Sequence, residues 1–401
     1  MKKYLLLLPI TALLAGCGNV GSAEAQPTAV TSPVTSETTA EPETEPPTEP
    51  PTEPPLSPAE KKLAEMPLHD KICQMFIVKP EALTGSGVFT CADENIFTPY
   101  DSYRVGGFIF FAENFCDSEQ SRSMIADLQS HALSYGVGAF MTTDEEGGSV
   151  TRIQSRLGTE YVNSMAYYGQ LGDYDAAFSA GAAIGSYLSD YGINLDLAPV
   201  ADVNISPYNE LGNRIFSSDP AVVSEMSAVV TEGLHSQGVC TALKHFPGLG
   251  AGSSNTHYNS VWIERSYEQL CEVEFTAFSG GIAAGTEFVM VGHQITSAAG
   301  DDMPSDLSRV VVTDWLKNEL GFDGLAITDS HSMGAIANVY GSSDAAVLAV
   351  EAGIDVILMP ADLAAAVDGI GQAVESGRIP EERIDESVLK ILELKDNMGL
   401  L

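Results

Sequence analysis

The chain is poor in basic residues and in long apolar segments. It contains 19 lysines and arginines against 55 aspartates and glutamates, which gives a net charge of −36 at pH 7. A chain this acidic repels phosphate backbones, so the composition argues against a nucleic-acid partner. Beyond the first 17 residues, no apolar segment is long enough to cross a bilayer, and no later transmembrane helix is predicted.

Cysteine is also scarce, and its spacing is uninformative about metals. Of the six cysteines, five lie after residue 17, and no C-x-x-C sequence occurs. This odd number at irregular spacing indicates neither a zinc site nor a disulfide framework, and we predict no metal and no organic cofactor. Cys73 and Cys240 lie in apolar runs and are expected in the core. A single disulfide between Cys91 and Cys116 stays open as an alternative for an exported protein.

The first 17 residues are typical of a bacterial lipoprotein signal. Lys2 and Lys3 precede an apolar stretch over residues 4–14, and the sequence L-A-G-C ends at Cys17. Such a segment is cleaved before the cysteine, whose thiol then carries a lipid. We therefore predict a signal peptide over residues 1–17 and a lipid anchor on Cys17. An ordinary secretory signal that contains a cysteine is the alternative.

Residues 18–57 have a composition that cannot form a core. They consist mostly of Thr, Pro, Glu, Ser and Ala, with near-repeats of E-P-P-T and few large apolar side chains. Such segments are extended, semi-rigid spacers, so we predict a disordered linker here and a folded domain over residues 58–401. Ser57 as N-cap and Pro58 at the first helical position predict that this domain opens with a helix.

The folded part alternates apolar runs with stretches of helical spacing. Most of the runs are continuous, as in parallel strands covered on both faces, and they occupy residues 72–78, 107–111, 138–143, 193–197, 239–243, 288–291, 325–328 and 356–359. Helical spacing occurs over residues 118–134, 175–191, 221–237, 267–284 and 310–320. This alternation predicts an α/β fold, a (β/α)8 TIM barrel. An open doubly wound sheet fits the same alternation, but no G-x-G-x-x-G follows a strand.

Polar side chains follow several of the predicted strands. The apolar residues 239–243 lead into Lys244 and His245, after which the sequence P-G-L-G ends the strand and a loop carries His257. A carboxylate, Asp329, comes directly after another predicted strand. The C-terminal ends of barrel strands and the loops after them are where α/β enzymes place their chemistry.

Four stretches match short sequence patterns of one enzyme family. Residues 244–257 are similar to K-H-F-P-G-H-G followed by D-[ST]-H, residues 321–329 to G-F-x-G-[VL]-x-[IF]-[ST]-D, residues 144–152 to D-Q-E-G-G-R-V-x-R, and residues 212–220 to G-[ND]-R-x-F-[SG]-x-D-P. Residues 71–76 and 105–111 also resemble the family's first two strands. The chain thus resembles glycoside hydrolase family 3, in its single-domain β-N-acetylhexosaminidase form, which is a barrel.

The resemblance implies a role for each matching residue. Asp329 corresponds to the nucleophile that attacks the anomeric carbon of the sugar. His257 corresponds to the acid/base on the opposite face, a task that suits an imidazole because its ordinary pKa of about 6.5 lies near working pH. The implied sugar-binding residues are Asp144, Arg152, Arg214, Lys244 and His245.

Three positions depart from the family patterns. Asn255 stands where the family has an Asp that supports the histidine, while Leu249 replaces a His and Ser149 an Arg. An amide can orient the ring of His257 but adds no charge, and the comparable change in a Ser-His-Asp triad costs on the order of 10⁴ in rate. Another acid that assists His257, a slow enzyme and a non-catalytic glycan binder all fit. His293, at another strand end, is a candidate for either the site wall or the core.

The sequence therefore predicts a retaining exo-β-N-acetylhexosaminidase that acts on terminal β-N-acetylglucosaminides of cell-wall or other glycans. Its partners are this carbohydrate and, through the lipid on Cys17, the outer face of a bacterial cell membrane. A β-glucosidase-like activity of the same fold is one alternative, although that branch usually carries its acid on a second domain. A surface glycan-binding lipoprotein with a degenerate site is the other. Water and phosphate both stay open as acceptors.

Overall fold

In this computed structural model, residues 55–85 and 87–401 are described. The predicted signal peptide, Cys17 and nearly all of the predicted linker lie outside the described residues. The first described helix begins as expected, because the Ser57 hydroxyl accepts a hydrogen bond from the backbone N–H of Glu60 at 3.1 Å and Pro58 follows the cap. No helix in the described part of the chain combines the length and the apolar character needed to cross a membrane.

Eight parallel strands form a sheet that closes on itself. They are β1 (Phe76–Val78), β2 (Gly107–Ile109), β3 (Phe140–Thr143), β4 (Leu195–Asp196), β5 (Cys240–Phe246), β6 (Phe288–Val291), β7 (Leu325–Thr328) and β8 (Ile357–Leu358). The strands pair in the order β8-β1-β2-β3-β4-β5-β6-β7. A parallel bridge between Ile327 and Val356 then links β7 to the residue before β8. The predicted (β/α)8 barrel is confirmed.

Helices alternate with these strands along the chain. The α-helices are α1 (Pro58–Glu65), α2 (Leu68–Gln74), α3 (Glu81–Thr84), α4 (Glu94–Ser102), α5 (Ser118–Leu133), α6 (Ile153–Leu157), α7 (Met165–Leu171), α8 (Tyr174–Asp190), α9 (Pro220–His235), α10 (Tyr267–Leu270), α11 (Thr276–Ala283), α12 (Gly334–Ala337), α13 (Ser342–Ala352), α14 (Leu363–Glu375) and α15 (Glu381–Asn397). The structure also contains two π-helical segments, Cys271–Phe275 and Val310–Glu319. Four 3-10 turns lie at Ala112–Asn114, Gly212–Arg214, Ser297–Ala299 and Ser305–Leu307, and the turn at Gly212–Arg214 borders the site.

Two predicted strands differ from the observed ones by three residues or more at one end. The first is too long, because residues 72–74 belong to α2 and β1 begins only at Phe76. The end of α2 is buried on all sides, so its apolar run carries no helical period and looks like a strand. The fifth is too short, since β5 continues through Lys244 and His245 to Phe246 before Pro247 follows.

The core beneath the strands is apolar and contains one fully buried lysine, Lys395. The rings of Phe140 and Phe288 meet edge to face at 5.4 Å. Lys395, from α15, lies 4.8 Å from the centre of the Phe140 ring and donates to the side chain of Gln74 and the carbonyl of Gly106. Burial lowers the pKa of Lys395 to about 7.

The five cysteines in the described part of the chain are all free thiols. Cys73 and Cys240 are buried, as expected from their apolar surroundings. Cys91 and Cys116 are exposed and unbonded, so the structure does not contain the disulfide that the sequence left open.

Candidate active site

One cavity of about 320 Å³ lies where β3, β5 and β7 end, a size typical of a small-molecule site. Asp144 follows β3, Asp329 follows β7, and Lys244 lies near the end of β5. Seven of the eight predicted catalytic and sugar-binding residues line this cavity, namely Asp144, Arg152, Arg214, Lys244, His245, His257 and Asp329. Asn255 is the exception.

A buried charge cluster of Asp144, Glu146, Arg214 and Lys244 forms one wall. The Lys244 ammonium lies 2.8 Å from an oxygen of Asp144 and 2.7 Å from an oxygen of Glu146, and Arg214 donates twice to Glu146 at 2.7 Å. Burial alone would raise the pKa of Glu146, but the charges of Arg214 and Lys244 outweigh it and hold that pKa below its ordinary value. Burial likewise opposes the charge of Lys244, and the two carboxylates still raise its pKa. Glu146, Arg214 and Lys244 are therefore ionised.

Glu146 is a site residue that the sequence reasoning missed. Its side chain is fully buried and joins Arg214 to Lys244 across the cavity wall. The only signal was its place in the pattern of residues 144–152, two positions after Asp144. Arg152 closes the other side, because its guanidinium lies 3.4 Å from Asp144 and 5.3 Å from the centre of the Phe111 ring.

Asp202, also missed, fixes the ring of His245. One Asp202 oxygen lies 2.7 Å from His245 Nδ1 and accepts the backbone N–H of the same residue at 3.0 Å. Because a carboxylate accepts hydrogen bonds, Nδ1 carries a hydrogen and donates it to Asp202. The other ring nitrogen, Nε2, stays available to a ligand in the cavity. The other Asp202 oxygen accepts from the backbone of Leu249 at 2.5 Å. Leu249 itself packs in a small apolar cluster with Val200, Leu211, Ile215, Val261 and Ile263.

Asp329 is held as an anion beside these groups. One of its oxygens accepts from the backbone N–H of Ser330 at 2.7 Å. Burial would raise the pKa of Asp329, but the neighbouring His293, His245 and Lys244 side chains outweigh it and lower the pKa below its usual value. A carboxylate that attacks carbon has to be ionised, so these surroundings suit a nucleophile.

His293 lies in the core behind Asp329, which resolves the alternative that the sequence left open. Its Nε2 is 2.9 Å from the carbonyl of Ser330, and its Nδ1 forms an ion pair with Asp306 at 3.1 Å without the alignment of a hydrogen bond. Both partners are acceptors, so both ring nitrogens carry hydrogen. Burial opposes this charge, but Asp306 raises the pKa of His293 to about 9. His331 contacts the same Asp306 oxygen at 2.9 Å.

His257 is an exposed residue of a partly buried loop, residues 248–260, which we call the His257 loop. On one side the carbonyls of Thr256 and His257 accept from the backbone of Ala335 and Gly334 at 3.3 and 3.0 Å. On the other side an oxygen of Glu210 accepts from the backbone N–H and the hydroxyl of Thr256 at 3.0 and 2.9 Å. These contacts hold the loop against the cavity.

Asn255 acts on the main chain of this loop. Its side-chain oxygen accepts the backbone N–H of His257 at 2.8 Å, as in an Asx turn. That oxygen is therefore engaged with the backbone and does not orient the imidazole, in contrast to the expectation from sequence.

Within residues 55–85 and 87–401, no group of three or more His, Cys, Asp or Glu side chains is arranged to hold a metal ion.

The fold and the cavity define a (β/α)8 barrel protein with a charged pocket at the catalytic face of the barrel. The chain belongs to glycosyl hydrolase family 3, because the pattern described as the N-terminal domain of that family matches residues 68–394. The resemblance seen in the sequence is thereby confirmed.

Named relatives and solved structures agree with this family. The chain is 30% identical over 323 residues to β-hexosaminidase A of Pseudoalteromonas piscicida, covering 74% of this chain and 54% of that protein. It is 29% identical over 336 residues to β-hexosaminidase LpqI of Mycobacterium tuberculosis, covering 81% of this chain and 82% of that protein. A family 3 β-N-acetylglucosaminidase from Paenibacillus sp. superposes with a TM-score of 0.79 at 33% identity. The superposition covers 84% of this chain and 63% of that chain. The chain thus spans about half the length of the first relative.

Proposed function

We propose that the chain is a retaining, exo-acting β-N-acetylhexosaminidase that hydrolyses terminal β-N-acetylglucosaminides, with residues 58–401 as its catalytic domain. One observation carries the proposal: Asp329 and His257 line the same cavity, the first anionic and half-buried, the second exposed on a loop. The names of the relatives, β-hexosaminidase and β-N-acetylglucosaminidase, support this substrate class.

The first step forms a bond between sugar and protein. An oxygen of Asp329 attacks the anomeric carbon while the bond from that carbon to the leaving oxygen breaks. The His257 imidazolium gives its proton to the leaving oxygen, which departs as an alcohol, and the ring becomes neutral. In the second step neutral His257 takes a proton from water, and the hydroxide oxygen attacks the anomeric carbon. The ester bond to Asp329 then breaks, so both groups return to their starting states.

The buried charge cluster is suited to hold the sugar. Asp144 accepts from sugar hydroxyls, while Arg152, Arg214, Lys244 and His245 donate to them from fixed positions. Because Glu146 and Asp202 already pin three of these donors, binding costs little ordering of side chains. Charged donors in a water-poor pocket make strong hydrogen bonds, which fixes the ring between Asp329 and His257.

We also propose that a lipid on Cys17 anchors the enzyme to the outer face of the bacterial cell membrane. The support is the sequence L-A-G-C after an apolar stretch, followed by the Pro-rich residues 18–57. Labelling cells with a tagged fatty acid should mark the wild-type chain and not Cys17→Ser. Equal labelling of both chains would contradict the anchor.

A second candidate is a non-catalytic glycan binder. It is favoured because Asn255 has no charge and its side-chain oxygen is engaged with the backbone, so it does not support the ring of His257. A turnover assay with 4-nitrophenyl N-acetyl-β-glucosaminide and 4-nitrophenyl β-glucoside separates the candidates. The proposal expects faster cleavage of the first substrate, and a preference for the second would favour a β-glucosidase-like enzyme. Cleavage of neither, with retained N-acetylglucosamine binding, would favour the glycan binder. Assays with and without phosphate identify the acceptor.

A further inference from the structure

Glu210 connects two loops at the edge of the cavity. It lies between β4 and α9 and is part of the cavity wall. One of its oxygens accepts both hydrogen bonds from Thr256, a residue that is only 3% exposed and immediately precedes His257. A single carboxylate on one loop thus fixes the neighbour of the proposed acid/base on the other.

The opposite side of the His257 loop is held by uncharged groups. The contacts come from the backbone of Gly334 and Ala335 at the start of α12, whose sequence is G-A-I-A. Thr256, the residue before His257, is therefore held between a neutral helix end and the carboxylate of Glu210. Asn255, which also contacts His257, contributes no charge.

The charge of Glu210 is not neutralised by a neighbour. Among the ion pairs of residues 55–85 and 87–401 none includes Glu210, and its second oxygen accepts no hydrogen bond there. The cations on the cavity wall are engaged elsewhere: Lys79 over the ring of Phe111, Arg152 on Asp144, Arg214 on Glu146, Lys244 on Asp144 and Glu146, and His245 on Asp202. The remaining acid on the wall, Asp329, faces His293 and His245.

We propose that Glu210 is the positioning residue of the His257 loop and that it supplies, from another loop, the negative charge that Asn255 lacks. The inference rests on the proposed role of His257 as acid/base. A carboxylate near an imidazole favours the imidazolium, which is the form that protonates the leaving oxygen. The two functions are separable, because a Gln at this position keeps a carbonyl oxygen for Thr256 and removes only the charge.

Hydrogen exchange tests the positioning function without any need for turnover. In full-length Glu210→Ala, both bonds to Thr256 are lost, so amide exchange in peptides covering residues 251–260 should accelerate about tenfold or more. Glu210→Gln should exchange like the wild type. The control Glu375→Gln, which changes an exposed residue on α14, should also be unchanged. Wild-type exchange in Glu210→Ala would overturn the positioning function.

The pH dependence of kcat/KM on the aryl N-acetylglucosaminide tests the charge. Removing a nearby negative charge destabilises the imidazolium, so the alkaline limb of Glu210→Gln should move to lower pH while the acidic limb stays in place. We expect kcat at neutral pH to fall about tenfold, within the range for general-acid catalysis. The Glu375→Gln profile should match the wild type. An unmoved alkaline limb in Glu210→Gln would overturn the charge function even with turnover intact.

A double variant gives an independent check. If Glu210 stands in for the missing Asp, then Asn255→Asp should increase kcat more in the Glu210→Gln background than in the wild type. Equal increases would mean that the two positions act independently, against the proposal. Absence of turnover in the wild type would count against the proposed function, whereas the exchange result would still decide whether Glu210 holds the loop.

Discussion

Lys244 on the wall of the cavity and His257 on the loop beside it are held in different ways. Lys244 is 2% exposed, and its charge is fixed by Asp144 and Glu146. His257 is exposed, and its position depends on backbone contacts and on Glu210. The proposed sugar-binding wall is therefore preorganised, whereas the proposed acid/base depends on how well a loop is held.

The same contrast separates the two proposed catalytic residues. Asp329 lies among fixed charges that lower its pKa, so its ionisation is built into the barrel. Changes at the wall should therefore have large effects on both binding and stability. Changes at the loop should mainly alter kcat and the alkaline part of the pH profile.

The largest effect is expected at Asp329, the proposed nucleophile. Asp329→Ala removes the attacking oxygen, so kcat should fall on the order of 10⁴-fold or more while sugar binding stays detectable by calorimetry. The exposed residue Asp175 provides the control, because Asp175→Ala should keep wild-type kcat. Full activity in Asp329→Ala would remove Asp329 from this role.

The next effect concerns the buried charge cluster. Glu146→Gln leaves the charges of Lys244 and Arg214 partly uncompensated, which should lower the free energy of unfolding by about 3–5 kcal/mol and weaken sugar binding. Urea denaturation measures the first effect and calorimetry the second. The exposed control Glu375→Gln should change neither, and a Glu146→Gln variant as stable as the wild type would show that the wall is not held by these ion pairs.

A smaller effect is expected from changes at Asp306 and His293, which lie behind Asp329, the proposed nucleophile. Asp306→Asn removes the charge that raises the pKa of His293, so His293 should lose its proton near neutral pH. The pKa of Asp329, now without that cation, should rise, and the acidic limb of kcat/KM should move to higher pH. His293→Gln should shift the same limb in the same direction. Unchanged acidic limbs in both variants would mean that His293 does not control the ionisation of Asp329.

The smallest expected effect is an increase in kcat. Asn255→Asp keeps an oxygen for the backbone of His257 and adds a charge near the ring, so kcat should rise about 3- to 10-fold on an aryl N-acetylglucosaminide. Asn397→Asp, which makes the same change at an exposed position at the end of α15 outside the lining of this cavity, is a matched control and should leave kcat unchanged. Equal or lower turnover in Asn255→Asp would count against a need for charge at His257.

The wall and the loop also differ in how well the sequence predicted them. Continuous apolar runs predicted the order of the strands, and Asp144, Lys244 and Asp329 were recognisable because each stands at or near a strand end. Glu146 and Asp202 were missed because their partners are distant in sequence: 68 residues separate Glu146 from Arg214, and 43 separate Asp202 from His245. Only the closed barrel brings such pairs together.

Local periodicity could not predict the loop contacts either. Glu210 and Thr256 are 46 residues apart, and nothing in the spacing of either segment indicates the contact. The use of the Asn255 oxygen by the backbone of His257 depends on the turn that the loop adopts, not on residue type. The prediction of the first strand was wrong for another reason: the buried end of α2 reads as a continuous apolar run, which is typical of a strand.

In the proposed mechanism, Asp329 forms a covalent bond with the sugar while His257 assists from the other side. Incubation with a 5-fluoro-N-acetylglucosaminyl fluoride should trap this intermediate, since the fluorine slows its hydrolysis more than its formation. Peptide mass spectrometry should then find one added glycosyl group on the peptide that contains Asp329, and no label in Asp329→Ala. A label on a different residue, or turnover of the reagent without any labelled intermediate, would contradict the claim.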